Sequence, residues 1–226
     1  MKIHDKKVVD LLKERSILKQ EVYKTTLKQY CKFRKVIEKE LEEFRVQIKD
    51  ERVRLEYDSN GDFETHAYVG SDVLVFNMHT NVFTFPDESS IWKNSYIEEN
   101  KELGYFGVIN VYNFLAESFL QKRMGDAGYL IGRIFVNRDG HFMVEGKGEL
   151  GYLFRNIRTN KFNQEAMKTI FEIAVKYAAE FDLQTPPYEN VSVVSVMQIK
   201  SLTSAQELKT GKRLGFKFKY EDEKNI

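Results

Sequence analysis

The sequence predicts an α+β protein in which a long amino-terminal helical segment precedes a mainly antiparallel sheet packed against two to three helices. Three observations carry this prediction. Residues 3–50 lack Gly and Pro and are dominated by Lys, Glu, Leu and Arg, the composition of one long helix or a helix pair. Residues 53–69 and 130–147 alternate apolar and polar side chains around short loops, the two-residue period of strands. Helical and strand patterns also fall in blocks rather than in regular βαβ alternation, which favours an antiparallel sheet. Residues 1–50 are therefore read as a helical, coiled-coil-like segment, and residues 51–226 as a single α+β globular domain.

In the helical segment, Tyr23, Leu27, Tyr30, Ile37, Leu41, Phe44 and Ile48 recur at a four-three spacing interrupted by Arg34. Val8, Leu11, Leu18 and Val22 continue it in a shifted register. A stripe this narrow is that of a coiled-coil seam, so Tyr23, Leu27, Tyr30, Ile37, Leu41 and Phe44 are candidate interface residues for a homodimer or a protein partner. The competing reading is a helix folded back on its own domain, for which the bulk of Tyr and Phe speaks.

A hairpin comes next, with Ser59-Asn60-Gly61 as its expected loop. It places Leu55, Tyr57, Phe63, Ala67 and Val69 on one face and Glu56, Asp58, Glu64 and His66 on the other, wet or functional face. Asp72–Met78 and Val82–Phe85 read as two further strands separated by a turn near 79–81, completing a four-stranded meander. Residues 104–125 are apolar on nearly every side and are expected to form a core helix, with a short buried strand over Phe106–Val111 as the alternative.

The clearest signal is the hairpin within residues 126–155. A three-residue loop, Arg138-Asp139-Gly140, sets Asn137 opposite His141 and makes Arg133 and Glu145 cross-strand neighbours. Leu130, Ile134, Val136, Phe142 and Val144 then share one apolar face. A short helix is expected around 150–157. A longer one spans 164–182, capped by Asn163, with Met167, Ile170, Phe171, Ala174 and Ala178 inward and Lys168, Glu172, Lys176 and Glu180 as an exposed ladder. Residues 191–199, rich in Val, read as a strand, 204–207 as a capping box, and 213–220 as a last strand.

Composition bounds function. The 226 residues are 42% hydrophobic and 13% aromatic, enough for one sizeable core, and a net charge of +1 gives no global attraction to nucleic acid or anionic membrane. One Cys, Cys31, excludes an internal disulfide and suggests a reducing compartment. Neither a signal-peptide pattern nor a membrane span is visible, so a cytoplasmic location is expected.

Several patterns touch on chemistry. Gly146-Lys-Gly148-Glu-Leu-Gly151 matches G-x-G-x-x-G, but its strand is the second arm of a hairpin, not the start of a parallel βαβ unit, so the glycines are read as easing a sharp strand-to-helix turn. Glu145-Gly-Lys147 resembles the E-x-K half of metal-dependent nucleases of the restriction-enzyme type, a resemblance that implies an acid on the preceding strand. The register puts Arg133 there, which forms an ion pair with Glu145 rather than a metal site. Asp58–Glu64 has the alternating oxygens of a calcium loop but lacks its helices and its glycine and twelfth-position acid. No close metal-ligand spacing joins His4, His66, His79 and His141, so neither metal nor cofactor is expected. Lys212, Arg213, Lys217 and Lys219 form a candidate anion-binding edge, for which an edge strand guarded by lysine is the plainer account.

The resulting expectation is a non-enzymatic self-associating or protein-binding α+β module. The alternative is a small-molecule-binding domain or metal-dependent hydrolase beside the 128–147 hairpin, using Glu145, Lys147, Arg133 and His141.

Overall fold

A computed structural model describes residues 5–182, 187–197 and 199–200 of the chain. The protein is α+β: a helix of 43 residues, a six-stranded antiparallel sheet and several shorter helices. Helix α1 (Lys6–Ile48) opens at Asp5, whose side chain accepts from the Lys7 amide, and ends at Lys49 in the left-handed conformation. The strands are β1 (Leu55–Asn60), β2 (Glu64–Val69), β3 (Asp72–Thr84), β4 (Tyr105–Leu115), β5 (Tyr129–Val136) and β6 (Phe142–Gly146). They pair in chain order, so the sheet is a meander throughout.

Helix α1 lies along one face of this sheet. Leu18, Val22, Thr26, Tyr30, Phe33, Ile37 and Leu41, spaced by three or four residues, form its buried stripe. Tyr30, Ile37 and Leu41, expected at an interface, are thus enclosed in their own chain's core, and Tyr23, Leu27 and Phe44 pack against that core. The seam is intramolecular, because the sheet's Leu74, Phe76, Ile109 and Ile134 supply the apolar surface that a partner helix would otherwise provide. Helix α5 (Gln164–Glu180) covers the rest of this face through Met167, Ile170, Phe171 and Ala174. Its Lys168, expected in an exposed ladder, reaches the buried Glu40 of α1 at 2.7 Å and ties the two helices together.

The other face is covered in two parts. Residues 85–104, including α2 (Ser95–Glu99), bring Trp92, Ile97 and Leu103 onto Phe106, Val108 and Phe135. At the other end α3 (Ala116–Leu120) caps Tyr68, Val73 and Val75, and Phe119 packs against His66 with ring centroids 4.8 Å apart. The face of β2 expected to be wet is therefore partly covered.

Four further expectations change. Residues 105–115 form strand β4 rather than a core helix: a central strand buried on both faces is apolar on all sides, as a buried helix is, and Val108, Ile109 and Val111 favour the strand. No turn breaks residues 72–84; β3 continues through an irregularity between Met78 and Val82. The first hairpin pairs Asn60 with Glu64, leaving Gly61-Asp62-Phe63 as its loop; Gly61 takes positive φ, so the loop begins with the glycine rather than ending on it. Residues 188–199 form no sheet strand among the described residues, but the short helix α6 (Tyr188–Val191) and a further helical hydrogen bond from Ile199 to Ser195.

The β5–β6 hairpin has the expected register, Arg133 opposite Glu145 and Val136 opposite Phe142. One side chain departs from it. A bulge at Ile131 against β4 turns Ile131 into the core and leaves Leu130 exposed. Helix α4 (Gly148–Leu153) comes after a turn so tight that a Cβ on Gly151 would stand 2.2 Å from the Gly146 carbonyl oxygen, which accounts for the glycines there. The segments 204–207 and 213–220, with Lys212, Arg213, Lys217 and Lys219, lie outside the described residues.

Helix α1 and the sheet come into close contact at Gly107 of β4. A Cβ there would meet Oγ1, Cβ and Cγ2 of buried Thr26 at 2.2, 2.7 and 2.7 Å. Gly107→Ala is expected to destabilise the fold by about 1–3 kcal/mol in urea denaturation. Thr26→Ala in the same chain should not restore stability, because the Cβ that remains is itself in the way.

The Tyr30 hydroxyl is buried beside the Thr65 hydroxyl at 3.0 Å and donates to the Phe76 carbonyl at 2.8 Å. Burial raises its pKa well above the ordinary value of 10.0, so the unfolded chain ionises first as pH rises. Stability should fall above about pH 10, by up to about 1.4 kcal/mol per pH unit for this group. Tyr30→Phe should flatten that alkaline slope while costing about 1 kcal/mol at neutral pH.

Candidate functional site: a lysine-rimmed cleft

The expected catalytic residues divide between two ends of one strand. Arg133 and Glu145 form the cross-strand ion pair, Nε to Oε2 at 2.9 Å, on a solvent-exposed surface, with the guanidinium 5.5 Å from the Phe135 ring centroid. Lys147 is the exposed residue just before α4. His141 lies four residues from Glu145, about 13 Å along an extended strand. There its Nδ1 is 2.9 Å from the Ile157 carbonyl and its ring lies against Tyr96. The carbonyl can only accept, so Nδ1 carries the proton and the ring acts as a brace for the 157–161 loop. These four residues do not converge on one reacting position. Among the described residues no group of three or more His, Cys, Asp or Glu stands ready to hold a metal.

What does converge lies at the other end of the hairpin. The β5–β6 loop rests on α1, where Thr25 Oγ1 donates to the Arg138 carbonyl at 3.0 Å, and the Arg138 side chain pairs with Glu102 just before β4. Beyond the loop, Lys161 pairs with His141, and the Phe162 amide donates to the Gly140 carbonyl at 2.9 Å. Phe162 points into the core, its ring centroid 5.5 Å from that of Phe33 and 5.1 Å from that of Phe142. Neighbouring Lys161 is left on the surface. Asn163 then caps α5, its Oδ1 accepting from the Ala166 amide at 2.9 Å.

Loop, α5 and α1 thus meet around an open cleft of about 580 Å³. Its α1 wall carries Lys32, Lys35 and Lys39 beside Gln29 and Val36; the facing wall runs from Asp139 and Gly140 through Lys161 to Gln164 and Met167. Lys39 pairs with Glu43 at 3.1 Å. Lys32, Lys35 and Lys161 form no ion pair among the described residues. Asp139 is the one acid on the lining. The positive end of the α5 dipole opens toward the same space.

No family model, curated protein or solved structure matches this chain. The chemistry of the cleft is that of its own groups: cations beside a helix amino terminus and its free amides, an arrangement suited to holding an anion.

A sequence signal for half of the site exists. Lys28, Lys32, Lys35 and Lys39 recur at four-three-four spacing and share one arc of α1 with no acid between them on that arc. Such a stripe is ordinarily a solvated helix face. What distinguishes it is Lys161, brought across by the pairing of residue 161 with His141.

Proposed function

We propose that this protein is a binding module for an anionic small molecule, taken in the cleft between α1, the β5–β6 loop and the α5 amino terminus. The observation that carries this reading is the convergence of Lys32, Lys35 and Lys161, from two separated parts of the chain, on one cavity, with no ion pair to any of the three among the described residues. A volume near 580 Å³ lies within the range of small-molecule sites, roughly 300–1,000 Å³. The exposed free Cys31 and the absence, among the described residues, of a helix long and apolar enough to cross a membrane support a cytoplasmic setting for such a module.

Phosphate at matched ionic strength should raise the thermal midpoint relative to chloride, since a ligand bound only by the folded state adds about 2.7 kcal/mol at a hundredfold excess over Kd. The charge reversal Lys32→Glu with Lys35→Glu should abolish that rise while leaving stability in chloride within about 0.5 kcal/mol, because both side chains are exposed. Equal shifts in both proteins would refute the reading.

Self-association is a second reading, favoured by a different observation. The first three turns of α1 carry no buried residue, and Val8, Leu11 and Leu12 are 60%, 56% and 67% exposed on the arc that continues into buried Leu18 and Val22. The occupant this spacing fits is the same stripe of a second copy. Light scattering should show a dimer that Leu11→Glu with Leu12→Glu converts to monomer; a monomeric parent protein would exclude it. Deleting the whole helix is not a usable test, because Tyr30, Phe33 and Ile37 would leave the core with it.

A further inference from the structure

The two edges of the sheet are finished differently. Along β6 the chain closes its own edge: the Phe142 and Val144 amides donate to the Asn160 and Phe154 carbonyls, each at 3.1 Å, and Lys161 bridges to His141. Along the outer edge of β1 no backbone partner stands among the described residues. An unpaired edge is a template for one more strand. We infer that residues 213–220, which lie outside the described residues, add to β1 as a seventh strand of the same chain.

The open groups of this edge follow from the pairing on its inner side. The Gly70 amide donates to the Arg54 carbonyl at 2.7 Å, so the main chain of Arg54, Glu56 and Asp58 turns toward β2 and that of Leu55, Tyr57 and Ser59 turns outward. Arg45 of α1 takes the Leu55 carbonyl, and the Ser59 amide is satisfied at 2.8 Å by its neighbour Asp58. Both the N–H and the C=O of Tyr57 remain, in the middle of the edge. The core also ends here: the rings of Tyr57 and Phe63 pack against it and stay only half-buried.

Side chains select the occupant. Strand β1 turns Leu55 and Tyr57 to the core side and exposed Glu56 and Asp58 to the other, where Arg54 meets Glu56 and Asp58 lies 4.0 Å from His66. Residues 213–220 alternate Leu214, Phe216, Phe218 and Tyr220 with Arg213, Lys217 and Lys219. Setting the apolar side chains beside Tyr57 sets the basic ones beside Glu56 and Asp58, so one placement satisfies both faces. The β1 edge of a second copy would instead bring Glu56 and Asp58 against their own kind. The chain is long enough. Phe181 lies against Tyr129, ring centroids 5.2 Å apart, at the end of the sheet that also holds Leu55. From β5 to β1 is four strand spacings, about 19 Å, and any ten of residues 183–212 would span about 33 Å when extended.

Single-residue amide hydrogen exchange on the full chain tests this, with the Tyr57 N–H as probe. In the parent protein that amide is expected to exchange within about tenfold of the Glu56 and Asp58 amides, which face β2. Phe216→Asp with Phe218→Asp should speed Tyr57 exchange about tenfold or more and leave Leu74 and Phe76 of β3 as they were. Phe216→Leu with Phe218→Leu should preserve the protection. Lys217→Glu with Lys219→Glu should speed exchange about threefold at low salt. A Tyr57 amide that exchanges in the parent as fast as that of Gly61 in the hairpin loop would overturn the inference, as would protection indifferent to Phe216→Asp with Phe218→Asp. A dimer by light scattering that this same double substitution converts to monomer would give the edge to the segment of a second copy and overturn the assignment to the chain's own.

Discussion

The Tyr30 side chain crosses from α1 into the sheet, its ring in the main core and its hydroxyl bonded to Thr65 and to the Phe76 carbonyl. A buried hydroxyl without partners is costly, so these bonds make one axial and rotational setting of the helix far better than its neighbours. Gly107 acts on the same setting from the opposite direction, since only the absence of a side chain lets Thr26 come so close to β4. Apolar contact alone would permit α1 to slide along a sheet of Val, Ile and Phe. The polar contact and the steric gap together fix its position.

The cleft depends on that setting. Both of its walls are built on α1: the β5–β6 loop is held there through Thr25 and Arg138, and α5 is held through Lys168 and buried Glu40. Lys168 has its pKa raised by these carboxylates, the Glu40 hydrogen bond first, which marks the contact as charge-assisted. Between the two attachments the backbone turns around Phe162, and the space left open is the cavity. Of its lysines, Lys39 meets Glu43, whereas Lys32, Lys35 and Lys161 form no ion pair among the described residues. What sets the cleft apart is that lysines from two remote parts of the chain face one cavity. The Arg133–Glu145 pair illustrates the ordinary case: two exposed side chains across a strand pair, worth about 0–1 kcal/mol and satisfied by each other.

The two uncovered apolar regions stand apart from the cleft. The amino-terminal turns of α1 carry the core stripe past the end of the sheet, so their exposure is a direct consequence of a helix of 43 residues lying on a sheet shorter than itself. Val193, Val196 and Met197 are exposed near the end of the described chain and lie on no strand of the sheet. The two regions differ in kind: the first continues a core pattern, and the second has the composition of a strand without strand neighbours.

Local chemistry was sufficient wherever one short stretch carried its own constraint. The Arg138-Asp139-Gly140 loop determined the β5–β6 register, Asn163 determined where α5 begins, and the absence of Gly and Pro over residues 3–50 determined a helical segment, which the fold resolves into one helix rather than a pair. Four-three spacing placed Tyr30, Ile37 and Leu41 on one face of that helix, but an apolar stripe does not say what covers it. Only the fold decided between a partner helix and the chain's own sheet. The same limit turned residues 105–115 into a strand, because a segment buried on both faces loses the periodicity that tells strand from helix. It also hid the site. Lys32 and Lys35 are legible on α1, whereas their convergence with Lys161 and the α5 amino terminus is a distance between remote parts of the chain, which tertiary packing alone creates.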